Sequence, residues 1–264
     1  MASQSVMPAN TRLHSRILLV LRQLLPIVVL LSIWEILTRS AIIDARFFPA
    51  PSTIIHYLLF TSPSEGILTD IGASLFRIFW GYLLGCSLGM AFGIAMGLSA
   101  RLKGMLYPLV IVTYPIPKIA ILPLIMLIFG LGDLSKIIVV MIGSFFLVLM
   151  NTLHGVEGMP RIFHDIASVY NINRWAFIKK IVFPAALPSI FTGLKLAIGY
   201  SLVIVVAAEF SGAQEGVGYL IWQSWETFSI KSMYAGLFVL GIMGLIFTFT
   251  LEWLEKKLIP WRQT

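Results

Sequence analysis

Glu209 and Lys118 are the ionisable residues set deepest within long apolar runs of this 264-residue sequence. A charge in such a setting is kept for a function or for a partner. Glu209 stands near the end of its run, where it would serve a gate or a contact surface, or form half of a structural pair. Lys118 follows Pro115 and Pro117 and would attract an anion, or would pair with Glu35 or Glu209 inside the fold. Glu35 sits late in its own run, where reaching back to the water interface is the ordinary explanation. Other chemistry is scarce. His14, His56, His154 and His164 are scattered with no two at ligand spacing, and Cys86 is alone, so no metal site is assigned. Gly193-Leu-Lys195 lacks the first glycine and the Ser/Thr of a phosphate-binding loop. No cluster of His, Asp or Ser suits an intramembrane enzyme, and no catalytic residue is assigned.

The elements that must position these residues are membrane helices. The chain is 58% hydrophobic and 12% charged, with mean hydropathy +0.92, against roughly a quarter charged in soluble domains. Runs of about twenty apolar residues cross a bilayer core, and six are read, over 20–41, 73–98, 107–129, 135–154, 189–209 and 232–254. The expected fold class is all-α, a polytopic helical bundle. The +7 net charge is sorted by loop, which points to topology and away from nucleic acid. Arg12, Arg16, Arg22, Arg101, Lys103, Arg161, Arg174, Lys179, Lys180, Lys256, Lys257 and Arg262 fall on one side, with Lys195 just inside the fifth span. Arg39, Arg46, Arg77, Lys136 and Lys231 fall on the other. Both termini are therefore expected in the cytoplasm, with membrane lipid around the bundle. Residues 44–72, broken by Pro49, Pro51 and Pro63, are expected to lie on the outer surface as a short amphipathic helix.

Two spans carry patterns of their own. Gly81, Gly85, Gly89, Gly93 and Gly97 recur every fourth residue and share one helix face. That stripe permits close packing within one subunit, or reserves a face for a moving or neighbouring helix. The third span reads Tyr114-Pro115-Ile-Pro117-Lys118, continuing to Pro123. Its missing backbone donors are tolerable only inside protein or beside a cavity, so it is either a discontinuous pathway helix or a kinked packing helix.

Between Pro160 and Pro188 lies an amphipathic block that is polar by the standards of this chain. Phe163, Ile166, Ala167 and Tyr170 fall at i, i+3, i+4 and i+7, one apolar helix face. Asp165 favours the first turn of that helix. Asn171 suits a left-handed C-terminal cap, and Asn173 an N-cap for a second helix carrying Trp175, Ile178 and Val182. Pro184 and Pro188 are expected to stop the second helix and redirect the chain into the fifth span. Alternatively the block lies on lipid headgroups with Lys179 and Lys180 towards phosphate.

The block resembles the EAA loop of ABC-importer permeases. Asp165, Ile166 and Ala167 occupy the Glu-Ala-Ala places, Asn171 the glycine place, and Arg174-Trp175 and Pro184-Ala-Ala-Leu187-Pro188 come after. Phe129-Gly-Leu-Gly132-Asp133-Leu-Ser-Lys136, Ala208-Glu209, Gly216-Val-Gly218, Trp34-Glu35 and Phe48-Pro-Ala-Pro51 are similar to the nitrate, sulfonate and taurine branch. The resemblance implies a tail at 1–19, a first helix and outer segment at 20–72, a permease domain at 73–258 with its coupling loop at 160–188, and a second tail at 259–264. It also implies that Asp165, Ile166, Ala167, Tyr170, Asn171, Arg174, Trp175, Pro184, Leu187 and Pro188 serve coupling to a partner ATPase subunit. That partner would bind ATP and Mg, leaving no cofactor in this chain. A separate substrate-binding protein would deliver a small anionic solute, and two copies of the chain would enclose the path through a bacterial inner membrane. A vitamin or its precursor is the alternative cargo. An ion-coupled carrier is the competing class, although neither an inverted repeat nor paired intramembrane carboxylates is seen.

Overall fold

A computed structural model describes residues 25–62 and 66–261, and every regular element among them is helical. The tail at 1–19, the first residues of the expected first span, and Arg12, Arg16, Arg22 and Arg262 lie outside the described residues. Helix α1 runs through residues 25–39. A short surface helix, α2 (Pro51–Phe60), begins on Pro51, whose missing N–H would be unpaired in a first turn anyway. Glu35 accepts bonds from Ser52 N (3.0 Å) and Ser52 Oγ (2.7 Å), which ties α1 to the start of α2. Ile54 is fully buried, and α2 rests on the last helix of the chain.

Four stretches are long and apolar enough to cross a membrane: α3 (Ile67–Leu98), α6 (Asp133–Glu157), the run Arg174–Glu209, and α11 (Ile230–Leu258). The expected third span is different. It comprises α4 (Ala100–Thr113), a 3₁₀ turn (Lys118–Ile121) and α5 (Leu122–Phe129), with an 88° bend between the two parts. Of the two readings of 107–129, the discontinuous helix fits this break and the merely kinked one does not. Pro115 and Pro117 do more than kink it, because two missing N–H groups in one turn end α4 outright.

The core is organised around α6, which packs against α3 on one side and against α9 (Phe183–Glu209) on the other. The α3–α6 contact is the glycine stripe. A methyl group built on Gly81 would meet Val140 Cβ at 2.7 Å, on Gly89 Phe145 O at 2.7 Å, on Gly93 Thr152 Cβ at 2.6 Å and on Gly97 Val156 Cγ1 at 2.6 Å. On Gly85 it would strike Met141 O. All five glycines face α6 of the same chain, so this face is filled within the subunit.

At the basic end of the bundle, Lys103 pairs with Glu157 (2.6 Å) and Lys195 with Glu255 (2.5 Å). At the far end, α10 (Val217–Glu226) fills the connection between α9 and α11. Arg77 and Lys136, expected among the loop charges of that side, are buried within the bundle instead. Loop counting cannot separate a buried terminal-turn cation from an exposed one.

Candidate functional site

The block expected at 160–188 begins with α7 (Ile162–Val169) and ends it in a two-bond cap. Asn171 takes φ +48°, Ile172 N donates to Ala167 O (3.0 Å) and Asn171 N to Ser168 O (3.2 Å). These are the 6→1 and 5→2 bonds of a Schellman motif, made with asparagine in the position usually given to glycine. Two residues later Asn173 Oδ1 accepts from Ala176 N at 2.7 Å and starts α8 (Arg174–Phe177). Turn and cap thus fix the angle between the two short helices.

The second half of the block departs from expectation. Pro184 and Pro188 neither stop nor redirect the chain. α8 passes through a π turn (Ile178–Val182) into α9, one continuous run to Glu209. A wider turn relieves the clash that the Pro184 ring would make with the carbonyl four residues back. Leu187 is buried against Phe191 and Ile259, and Pro184 and Pro188 are only partly exposed. These three belong to the base of α9 and not to the outward surface of the block. Val182, Ala186 and Ile190 anchor that base against Val156 and Met159.

The rest of the block faces outward. Tyr170 is 76% and Trp175 71% exposed, and Phe163, Ile166 and Val169 are exposed too, with Trp175 lining a groove beside Ala91, Ile94 and Leu98 of α3. Asp165 and Arg174 are exposed around them, and Ala167 is half-buried. An apolar patch of this kind on a capped, stiffly mounted element marks an interaction surface.

The expected membrane charges lie apart. Lys118 Nζ donates to Thr113 O (2.6 Å) and Tyr114 O (3.1 Å) and stands 4.2 Å from the centre of the Phe146 ring. It pairs with neither Glu35 nor Glu209. Glu209 is in the far-end knot. It accepts from Arg77 Nη1 (2.7 Å), Ser74 Oγ (2.8 Å) and Gly218 N (2.8 Å), while Arg77 also binds Asp133 (2.7 Å) and Glu215 O (2.7 Å). Asp70 accepts from Gly216 N (2.8 Å) and Ser74 Oγ from Val217 N (2.9 Å). The first turn of α10 therefore has its free N–H groups capped by side chains of α3 and α9, satisfying donors that have no helical partner. Sequence reading misses Asp70, Ser74 and Arg77 because their partners Glu209 and Gly216 lie more than 130 residues away. A pocket of about 440 Å³ opens beside this knot, lined by Arg77, Asp133, Lys136 and residues 212–215.

A multi-span helical bundle with a capped, outward-facing block stiffly joined to one span has the architecture of a membrane transport subunit. The chain belongs to the family described as the binding-protein-dependent transport system inner membrane component, whose model matches residues 81–262. The taurine transport system permease of Escherichia coli (strain K12) is 30% identical, covering 88% of this chain and 86% of its own. The nitrate import permease of Leptolyngbya laminosa is 30% identical over 88% and 85%. The formylaminopyrimidine transport permease of Halalkalibacterium halodurans is 29% identical over 89% and 93%. Among solved structures, an inward-facing form of the MetNI methionine ABC transporter matches with TM-score 0.62 at 16% identity, covering 73% of this chain and 95% of that one. The chain is thus a multi-pass inner-membrane permease component of an ABC importer.

Proposed function

We propose that this permease forms the path for a small anionic solute of the sulfonate, taurine or nitrate kind, working as a homodimer with two ATPase subunits and a substrate-binding protein. Its termini lie in the cytoplasm, lipid surrounds it, and ATP and Mg are held by the ATPase alone. The solute class is supported by the taurine and nitrate relatives. The formylaminopyrimidine relative makes a vitamin precursor the second cargo to test.

The observation that carries the reading is the bare apolar face on the capped block. Ala167, Tyr170 and Trp175 would seat in a cleft of the ATPase, with Asp165, Ile166 and Arg174 around them. Asn171 fixes the turn, and Pro184, Leu187 and Pro188 seat the lever base. A partner can shift an equilibrium only by binding its two states differently, and a run continuous from Arg174 to Glu209 transmits that difference across the membrane. The broken span around Pro115, Pro117 and Lys118 borders the path, because irregular backbone at membrane depth needs protein or an aqueous cavity beside it. Glu209 holds the outer end closed.

The test is Ala167→Arg in the full complex. Membrane insertion should persist, while co-purification of the ATPase and solute-stimulated ATP hydrolysis are lost. Normal coupling in this variant would refute the assignment. Uptake assays with taurine, methanesulfonate, nitrate and formylaminopyrimidine then separate the cargoes.

A further inference from the structure

Lys118 and Lys136 make the same arrangement at the two ends of α5. Lys118 Nζ donates to the carbonyls five and four residues back, Thr113 O at 2.6 Å and Tyr114 O at 3.1 Å. Lys136 Nζ does likewise, to Leu131 O at 2.6 Å and Gly132 O at 3.2 Å. Both lysines are buried, Lys136 to 1% exposure, and neither is in an ion pair among the described residues. A buried ammonium outside a direct ion pair is costly and persists where something else needs its protons; the Asp133 and Glu209 carboxylates act on Lys136 from a distance.

The backbone supplies that need. In a continuous helix the Thr113 carbonyl would accept from the N–H of residue 117, which is proline and has none. Thr113 O retains only a 3.3 Å bond from Ile116 N besides the lysine. At the other end Gly130, at φ +82°, turns the chain out of α5 and leaves the Leu131 carbonyl ahead of α6 for Lys136, while Gly132 O accepts from Ser135 Oγ (2.9 Å) as well as from the lysine. Within a membrane no water is at hand to satisfy the Thr113 carbonyl, whereas residues 131 and 132 border the pocket beside the far-end knot. Between these points α5 is a single eight-residue helix. Leu122 and Ile125 hold one side of it against the core, while Leu124, Leu127 (81% exposed) and Ile128 leave its other side open.

We propose that Lys118 and Lys136 are a matched pair of positioning residues, which clamp the two ends of α5 and so define it as a separate gating segment of the broken span. Lys118 then acts on the path through the backbone and is not a ligand for the solute. The inference rests on the reading of the chain as an importer permease, which places α5 beside a transport path. The clamps themselves are tested by a measurement that needs no transport.

Hydrogen exchange is followed by mass spectrometry on the full complex in lipid nanodiscs, comparing wild type with Lys118→Met, Lys136→Met and Lys118→Arg. Each Met variant should accelerate exchange across residues 116–132 by about tenfold, with α6 beyond its first turn and α9 unchanged. Lys118→Arg keeps the donors and should stay within about twofold of wild type. Should Lys118→Met fail to insert, Lys136→Met carries the same test from the other end. Unchanged exchange in 116–132 for an inserted Met variant overturns the clamp, as does an Arg variant as labile as Met. Uptake of whichever of the four solutes the wild type carries is measured in parallel. Lost uptake with unchanged exchange would make Lys118 a solute contact. Accelerated exchange in a chain that moves none of the four would leave the clamp standing and count against the proposed solute class.

Discussion

Alanine at position 89 should push α3 and α6 apart, although Gly→Ala within a helix ordinarily stabilises it. The added methyl would lie 2.7 Å from Phe145 O, 3.0 Å from Leu149 N and 3.0 Å from Val148 Cβ. Two of these are backbone atoms, which cannot rotate away. The closest is about 0.7 Å short of the 3.4 Å at which ordinary contact begins, so the helices must separate by a comparable amount along a stripe shared by five glycines. Overpacking of this kind costs about 1–3 kcal/mol, outweighing the roughly 1 kcal/mol that alanine gains over glycine in a helix. The control is Gly241→Ala in α11, where nothing lies within 4 Å of the new methyl. At the mid-range net cost of about 1 kcal/mol, thermal unfolding of the purified chain, followed by fluorescence-detected size exclusion, should show Gly89→Ala lowered by roughly 2–4 °C and Gly241→Ala unchanged or raised. Equal stability of the two variants would refute the argument that the stripe is a close intrachain contact.

The same geometry sets three further outcomes. Glu209→Gln leaves buried Arg77 without its inner carboxylate and should cost about 3–5 kcal/mol. Combined with Arg77→Met it should cost less than the two changes added together, as read from the unfolding midpoints. Asn171→Gly should be neutral, while Asn171→Val at φ +48° should cost about 1–2 kcal/mol locally and weaken ATPase co-purification. Asn173→Ala removes the 2.7 Å cap on Ala176 and should cost about 1 kcal/mol, visible as faster hydrogen exchange confined to 170–178.

The glycine stripe, the capped turn at Asn171 and the N-cap at Asn173 are legible in the sequence because each depends on residues within one or two helical turns. Local chemistry and local spacing decide them. The far-end knot is not legible, since Ser74 and Arg77 meet Glu209 only after α3 and α9 have packed. The hydrogen-bond partners of Lys118 are hidden for a related reason. Its ion-pair candidates are visible as charges, whereas what holds it is backbone, including the Thr113 carbonyl that Pro117 leaves without its helical donor. The fate of Pro184 and Pro188 is hidden because a π turn lets a helix pass through a proline that would otherwise break it. Helices also run past the apolar stretches that mark the spans, with α3 beginning at Ile67 and α9 at Phe183, since packing and caps extend helices beyond the hydrocarbon core.

The central claim, that the block at 164–175 meets the ATPase, is tested most directly by placing a photo-crosslinking amino acid at Tyr170, with Phe228 at the opposite end of the bundle as control. Illumination of the intact complex in membranes should give an adduct between position 170 and the ATPase subunit, and none from 228. An ATPase adduct from 228, or only lipid adducts from 170, would contradict the account.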